Sequence, residues 1–197
     1  MAEPDSNLDK RDRILAAAED LFFRLGFRGA TLDMICAELG VTKPYVYYYF
    51  RDKQHIFETL AWRASFACLT AFRFSPEDNR PAYERLADGL HRFMQANIEN
   101  FRSGTFAYRE PSVFRAEFND ELRALANAFY DDLRALLDAG RNEGRLNFDD
   151  TALTAFAIGS LAGFLYTWYR PEGRLPPDAM VEKMTAMLYK LVGLPLP

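Results

Sequence analysis

The amino-acid sequence predicts an all-α chain, on three observations. Apolar residues recur at spacings of three and four through almost the whole length. Helix-starting Thr and Asp, and helix-ending Gly, stand at the ends of those periodic stretches. No stretch alternates apolar and polar residues long enough to read as a strand. Of the 197 residues, 49% are hydrophobic and 15% aromatic, enough for a sizeable core. That length suits one large domain or a small domain followed by a larger one.

The first helix is expected over residues 8–25, with Ile14, Ala18, Leu21, Phe22 and Leu25 on one face. Gly26 ends it as a C-terminal cap, and Phe27 can fold back in the hydrophobic contact of that motif. Thr31 caps the second helix, Asp33 sits in its positive first turn, and Ile35 and Leu39 mark its buried side. Gly40 breaks that helix, and Val41 turns back into the small core. Thr42 caps a very short third helix, with Pro44 in its first turn, where a missing N–H costs little. Asp52 caps a fourth helix over 53–72. Residues 75–81 form a loop before a fifth helix over 82–101. Gly104 and Pro111 break the segment 103–118, which holds a short helix. A long amphipathic helix over 119–143 starts with Asp120 and Glu121 and ends at Gly144. Asp149 or Asp150 caps a helix reaching Tyr169, and after a loop at 171–177 a last helix covers 178–192. The domain boundary falls in the shared fourth helix, giving domains of residues 1–52 and 53–197.

The net charge of −4 excludes a protein that coats nucleic acid by charge alone, so any such contact is local. Met1–Asn7 is polar and carries no apolar signal region. With no run of 18 apolar residues, no membrane span is expected, which points to the cytoplasm. Cys36 and Cys68 lie far apart in helical patterns and read as buried free thiols in a reducing compartment. The only histidines are His55 and His91. No paired Cys/His spacing suggests a metal, and no phosphate loop or nucleophile elbow appears. Neither an enzyme nor a bound cofactor is expected.

The residues from Gly40 to Phe50 point elsewhere. The third helix carries four tyrosines within five positions: Tyr45, Tyr47, Tyr48 and Tyr49. Val46 and Phe50, one turn apart, face inward together, which sends Tyr45, Tyr48 and Tyr49 elsewhere. Exposed phenols in a cluster cost solubility unless a partner covers them. Lys43 and Lys53 bracket the cluster and suggest a polyanion. These are the features of the recognition helix of a helix-turn-helix, whose N-terminal side chains reach base edges in the major groove. Lys43, Pro44 and Tyr45 lie there. Lys43 can donate to guanine O6 or N7, and Pro44 and Tyr45 can touch a thymine methyl.

The ordered set Ile14-Leu15-Ala16-Ala17-Ala18, Leu21-Phe22, Gly26-Phe27, Thr31, Ile35, Gly40-Val41-Thr42-Lys43, Tyr47, Tyr49-Phe50 and Lys53 resembles the TetR/AcrR family of bacterial transcriptional repressors. The resemblance implies an N-terminal three-helix helix-turn-helix DNA-binding domain and a C-terminal helical ligand-binding and dimerisation domain. It implies that Thr31, Thr42, Tyr47 and Tyr49 donate hydroxyls to phosphates, with Lys53 adding charge at the start of the fourth helix. Two bland alternatives stay open: Lys53 as a plain solvated helix-start residue, and Tyr47 as mainly a packing residue. Tyr45 stands where many relatives have a small residue, so the operator cannot be borrowed.

The family forms a homodimer through its last two helices. The small residues Ala155, Gly159, Ala162 and Gly163, and the apolar Val181, Met184, Met187, Leu188 and Leu191, suit that role. A two-fold dimer matches a palindromic operator in double-stranded DNA with half-sites about 34–36 Å apart, or a multiple of it. Candidate ligand-binding residues are Phe66, Phe93, Asn97, Phe101, Arg109, Phe129, Phe156 and Phe164, many of which a plain core would also require. The run Tyr166-x-Trp168-Tyr169-Arg170-Pro171-Glu172-Gly173 is similar to a sub-group that often responds to acyl-CoA thioesters, for which Arg102, Arg109, Arg115 and Arg123 could serve the phosphates. An unrelated apolar small molecule stays open, as does a DNA-binding protein of this fold that acts through a protein partner.

Overall fold

The computed structural model describes residues 6–196, with side chains from Lys10 onward. Residues 1–5 of the polar N-terminal stretch lie outside the described residues. The elements are α1 (Ser6–Gly29), α2 (Leu32–Leu39), α3 (Lys43–Tyr49), α4 (Lys53–Leu69), α5 (Ala82–Glu99), α6 (Phe101–Gly104), α7 (Phe106–Arg109), a single 3-10 turn (Pro111–Val113), α8 (Ala116–Asn142), α9 (Thr151–Gly163), α10 (Leu165–Trp168) and α11 (Pro177–Val192). No strand occurs among the described residues.

The chain divides into two compact units, residues 1–63 with 102–119, and residues 64–101 with 120–197. The first extends past the start of α4, where the sequence places a boundary, and takes in a piece of the C-terminal half. The reason is aromatic. Phe106 stacks on Phe57 at 4.6 Å and meets Phe22 edge-on at 6.2 Å. Phe114 stacks on Phe57 at 5.4 Å, and Phe118 on Phe114 at 4.6 Å. Burying three phenylalanines removes several hundred Å² of apolar surface from water, so the short helices 102–113 belong to this core.

Local structure follows the capping signals. Gly26 has φ 71° and ψ 169°, and the helical path of α1 breaks there. Only glycine adopts that region readily. After the break Phe27, rather than Leu25, packs on Phe22 (5.9 Å), and Leu25 is left exposed instead of on the buried face expected for it. Thr31 Oγ1 accepts the Met34 N–H at 3.2 Å, capping α2, and Asp52 Oδ1 accepts the His55 N–H at 2.7 Å, capping α4. Val46 and Phe50 are buried as their spacing requires.

In the second unit, α5 and α11 pack along each other, and Tyr189 Oη donates to the Ala87 carbonyl at 3.0 Å. Asp150 caps α9 through its Oδ1 and the Leu153 N–H at 2.7 Å. The helix expected to reach Tyr169 is interrupted at Phe164 (φ −89°, ψ 0°), which divides α9 from α10. Tyr169 is buried against Phe101 at 4.9 Å, so the Trp168-Tyr169-Arg170 run is anchored by its middle residue. By length and composition residues 151–168 resemble a membrane span, at mean hydropathy 1.3, although Thr and Ser interrupt the apolar residues and Phe164 divides the helix.

Candidate nucleic-acid interface

The α1–α2 turn and α3 present one set of groups. Thr42 caps α3 by backbone geometry alone (φ −95°, ψ 158°), and its hydroxyl makes no capping bond. Thr31, Thr42, Lys43, Pro44, Tyr47 and Tyr48 are exposed, while Tyr45 and Tyr49 are half-buried. The phenols brace one another. Tyr45 meets Tyr49 edge-on at 5.6 Å, and Tyr48 meets Tyr49 at 4.9 Å. Burial first, and then the neighbouring Tyr45 and Tyr48, push the Tyr49 phenol above its usual pKa, so it stays a neutral hydroxyl donor. Tyr48 is 77% exposed, an unusual position for a large aromatic.

Lys43 Nζ pairs with Asp33 Oδ1 at 3.0 Å across the α2–α3 corner. The hydrogen bond to Asp33, followed by its charge, raises the Lys43 pKa. Asp33 thus stands among the groups that the sequence assigns to DNA. The sequence places it in a helix first turn, and its pairing with Lys43 requires the three-dimensional corner to be seen.

Lys53, expected to add charge against the DNA backbone, is engaged within the chain. Its Nζ donates to the Phe27 carbonyl at 2.6 Å and the Ala30 carbonyl at 2.7 Å, and lies 4.2 Å from the centre of the Phe27 ring. The ammonium is therefore a cap for the turn after Gly26, whose carbonyls have no helical partner. Glu110 closes the same turn from the other side, its Oε1 accepting the Phe27 N–H at 2.7 Å. No sequence signal marks Glu110, because its partner lies 83 positions away.

The arginines proposed for phosphates are engaged otherwise. Arg115 donates to Asp52 Oδ2 at 2.7 Å and to Glu58 Oε2, and its N–H reaches Glu58 Oε1 at 2.9 Å. This arrangement supplies the buried Glu58 with the partners a buried carboxylate needs. Arg102 pairs with Asp20 at 3.4 Å, Arg123 pairs with Asp120 at 2.9 Å, and Arg109 lies 5.8 Å from the Phe23 ring. Ion pairs inside the chain engage Arg102, Arg115 and Arg123, and Arg109 lies beside an aromatic ring.

The other candidate ligand residues scatter. Phe93 and Phe129 are buried and pack on each other at 5.1 Å, with Phe72 at 5.9 Å and 5.4 Å from them. These three rings pack together in the core of the second unit. Phe101 is buried on Tyr169. Asn97 Nδ2 donates to the Phe93 carbonyl at 2.8 Å, one turn back in its own helix. Phe66, Phe156 and Phe164 are exposed, since the helical spacing that suggested an interior also fits a face turned outward. Arg109 falls in the first unit, and the other seven candidates in the second. An open groove of about 430 Å³ between α5 and α11 is lined by none of the eight; His91, Gln95, Glu99, Asp178 and Glu182 give it a polar wall.

Residues 14–60 match the family described as bacterial regulatory proteins, tetR family, and residues 79–192 match the tetracyclin repressor-like C-terminal domain. The chain is 24% identical to the class C tetracycline repressor protein of Escherichia coli over 77% of its own length and 64% of that repressor's. It therefore spans slightly less than two thirds of that relative. It is 29% identical to the HTH-type transcriptional repressor BepR of Brucella suis, over 83% of this chain and 82% of BepR. Its fold matches the crystal structure of AibR in complex with isovaleryl coenzyme A and operator DNA, with TM-score 0.70, 20% identity, and coverage of 91% of this chain and 98% of AibR.

Proposed function

The chain belongs to the TetR family of DNA-binding transcriptional regulators, and on that premise we propose that it is a dimeric repressor that binds a palindromic operator through α3 and leaves it when a small apolar effector binds. The observation that carries the reading is α3 itself. Lys43, Pro44, Tyr47 and Tyr48 are exposed on seven residues whose two inward positions, Val46 and the following Phe50, are already buried. Phenol hydroxyls and the Thr31 and Thr42 hydroxyls set register on phosphates; Lys43, Pro44 and Tyr45 read bases.

A second copy of the chain is proposed to cover the apolar face of α9–α11. Leu153, Phe156, Phe164, Met187 and Leu191 are exposed on these helices, and a run of large exposed apolar side chains marks an interaction surface. The same cover accounts for the apolar stretch at residues 151–168, only 28% of which is buried within the chain.

For the effector we propose an acyl-CoA thioester. The AibR complex supports that class on a shared fold. The acyl chain would enter the apolar interior of the second unit by displacing packed rings such as Phe93 and Phe129. Release of DNA requires only that the effector bind the non-DNA conformation more tightly. The test is a titration against the intergenic DNA beside the protein's own gene, at fixed salt, with a panel of acyl-CoA thioesters. Binding released by one thioester is the expected result. Tight binding that none disturbs drops the effector class, and turns attention to other apolar ligands or a protein partner.

A further inference from the structure

We propose that Asp33 is a specificity-determining residue of the DNA-binding surface, acting as a resident counter-ion that keeps Lys43 from binding arbitrary phosphates. The inference rests on the DNA-binding reading above. A carboxylate on a face that meets a polyanion is repelled by it, so its presence calls for an account. One role, favouring the positive end of α2, needs no contact with Lys43. The geometry adds more, because Asp33 Oδ1 lies 3.0 Å from Nζ of Lys43, the first residue of α3. Thr31 already caps α2 by accepting the Met34 N–H, so Asp33 is not needed as the cap. Its side chain stays 74% exposed, and that of Lys43 47%. Both groups therefore face the same solvent that DNA would replace.

A lone lysine binds any phosphate as a point charge, and such contacts carry no sequence information. With Asp33 in place, the corner is locally neutral. On non-operator DNA, Lys43 gains a phosphate only by leaving a carboxylate unpaired beside the backbone. On the operator both partners are replaced at once: a guanine edge accepts from Lys43, and the amino group of a cytosine or adenine donates to Asp33. Discrimination thus comes from a penalty on the wrong sequence as well as a contact with the right one.

The test is selection of bound duplexes from a random-sequence library by the full chain, its Asp33→Asn variant and its Asp33→Glu variant. Salt titrations on a scrambled duplex follow. Asparagine removes the charge with little change of shape, and glutamate restores it. The expected result has three parts. The Asp33→Asn pool loses base preference at one or two positions of each half-site. Non-specific affinity at low salt rises roughly three- to tenfold, with the salt slope steeper by about one unit per protomer. Asp33→Glu returns toward the original preference. A merely structural Asp33 would change the unfolding temperature without altering the selected sequence. If the Asp33→Asn pool keeps the original motif, or if specific and non-specific affinities rise by the same factor, the inference is overturned. If the unaltered chain selects no motif at all, the failure lies with the DNA-binding reading itself.

Discussion

Replacing Lys53 with methionine isolates the task the structure gives it. Methionine retains most of the apolar stem and removes the ammonium. Two N–H donations, at 2.6 Å to Phe27 and 2.7 Å to Ala30, are lost, together with a cation placed 4.2 Å from the Phe27 ring. A hydrogen bond from a charged donor contributes about 1.5–3 kcal/mol net, and a cation over an aromatic ring about 0.5–1 kcal/mol. Lys53 is only half-buried, so water can replace part of this, and the lower end of each range applies. The expected loss is about 3.5 kcal/mol, a large share of the roughly 5–15 kcal/mol that holds a typical domain folded. Urea unfolding followed by circular dichroism would show a clearly lower midpoint. DNA binding, measured where both proteins are folded, would keep its dependence on salt concentration. A midpoint shift worth less than about 0.5 kcal/mol, together with a salt slope flatter by about one counterion, would refute the capping role and restore Lys53 as a phosphate contact.

Three further outcomes follow from the same geometry. Gly26→Ala forces a side chain into φ 71° and sets its Cβ 3.0 Å from Glu110 Oε1, so the unfolding free energy should fall by about 1–2 kcal/mol; an unchanged melting temperature would contradict it. Burial pushes the Asp52 carboxyl up, but the His55 N–H and the Arg115 guanidinium outweigh it and hold the carboxyl below its usual range. Its contribution is therefore complete above the unfolded value of about 4 and lost as pH falls through the lower folded value. Asp52→Asn should be less stable by about 1 kcal/mol at neutral pH, with the gap closing on acidification; a gap constant with pH in urea unfolding would be inconsistent with it. Tyr45→Ala should relax base preference in a library selection while leaving the fold intact, and an unchanged selected motif would remove Tyr45 from the reading set.

What the sequence showed and what it hid divide along contact order. Gly26, Thr31 and Asp52 act on residues within four positions, so capping chemistry placed them, and it narrowed the cap of α9 to Asp149 or Asp150, of which Asp150 makes the bond. Val46 and Phe50 were legible for the same reason. The first unit's inclusion of residues 102–119 was not, because nothing local distinguishes Phe106 and Phe114 from core phenylalanines of the second unit. The bonds of Lys53 to the Phe27 and Ala30 carbonyls were hidden, because that turn between α1 and α2 takes shape only once the helices are packed. The ion pairs of the arginines were hidden in the same way: a guanidinium that could clamp phosphate can equally satisfy Asp52 and Glu58, as Arg115 does here. Helical spacing cannot tell the packed, buried pair Phe93 and Phe129 from an outward face such as Phe156 and Phe164.

The central claim, that α3 is the surface that binds DNA, is tested most directly by fluorescence-anisotropy titration of the labelled upstream intergenic duplex. The unaltered chain is compared with a Tyr47→Phe/Tyr48→Ala variant, against a scrambled duplex at the same salt. Tyr48 is 77% exposed, and Phe preserves the ring of Tyr47, so both changes spare the core. The account predicts tight, sequence-dependent binding by the unaltered chain and a loss of at least tenfold in the variant. Equal affinity of the two proteins for the intergenic duplex would contradict it.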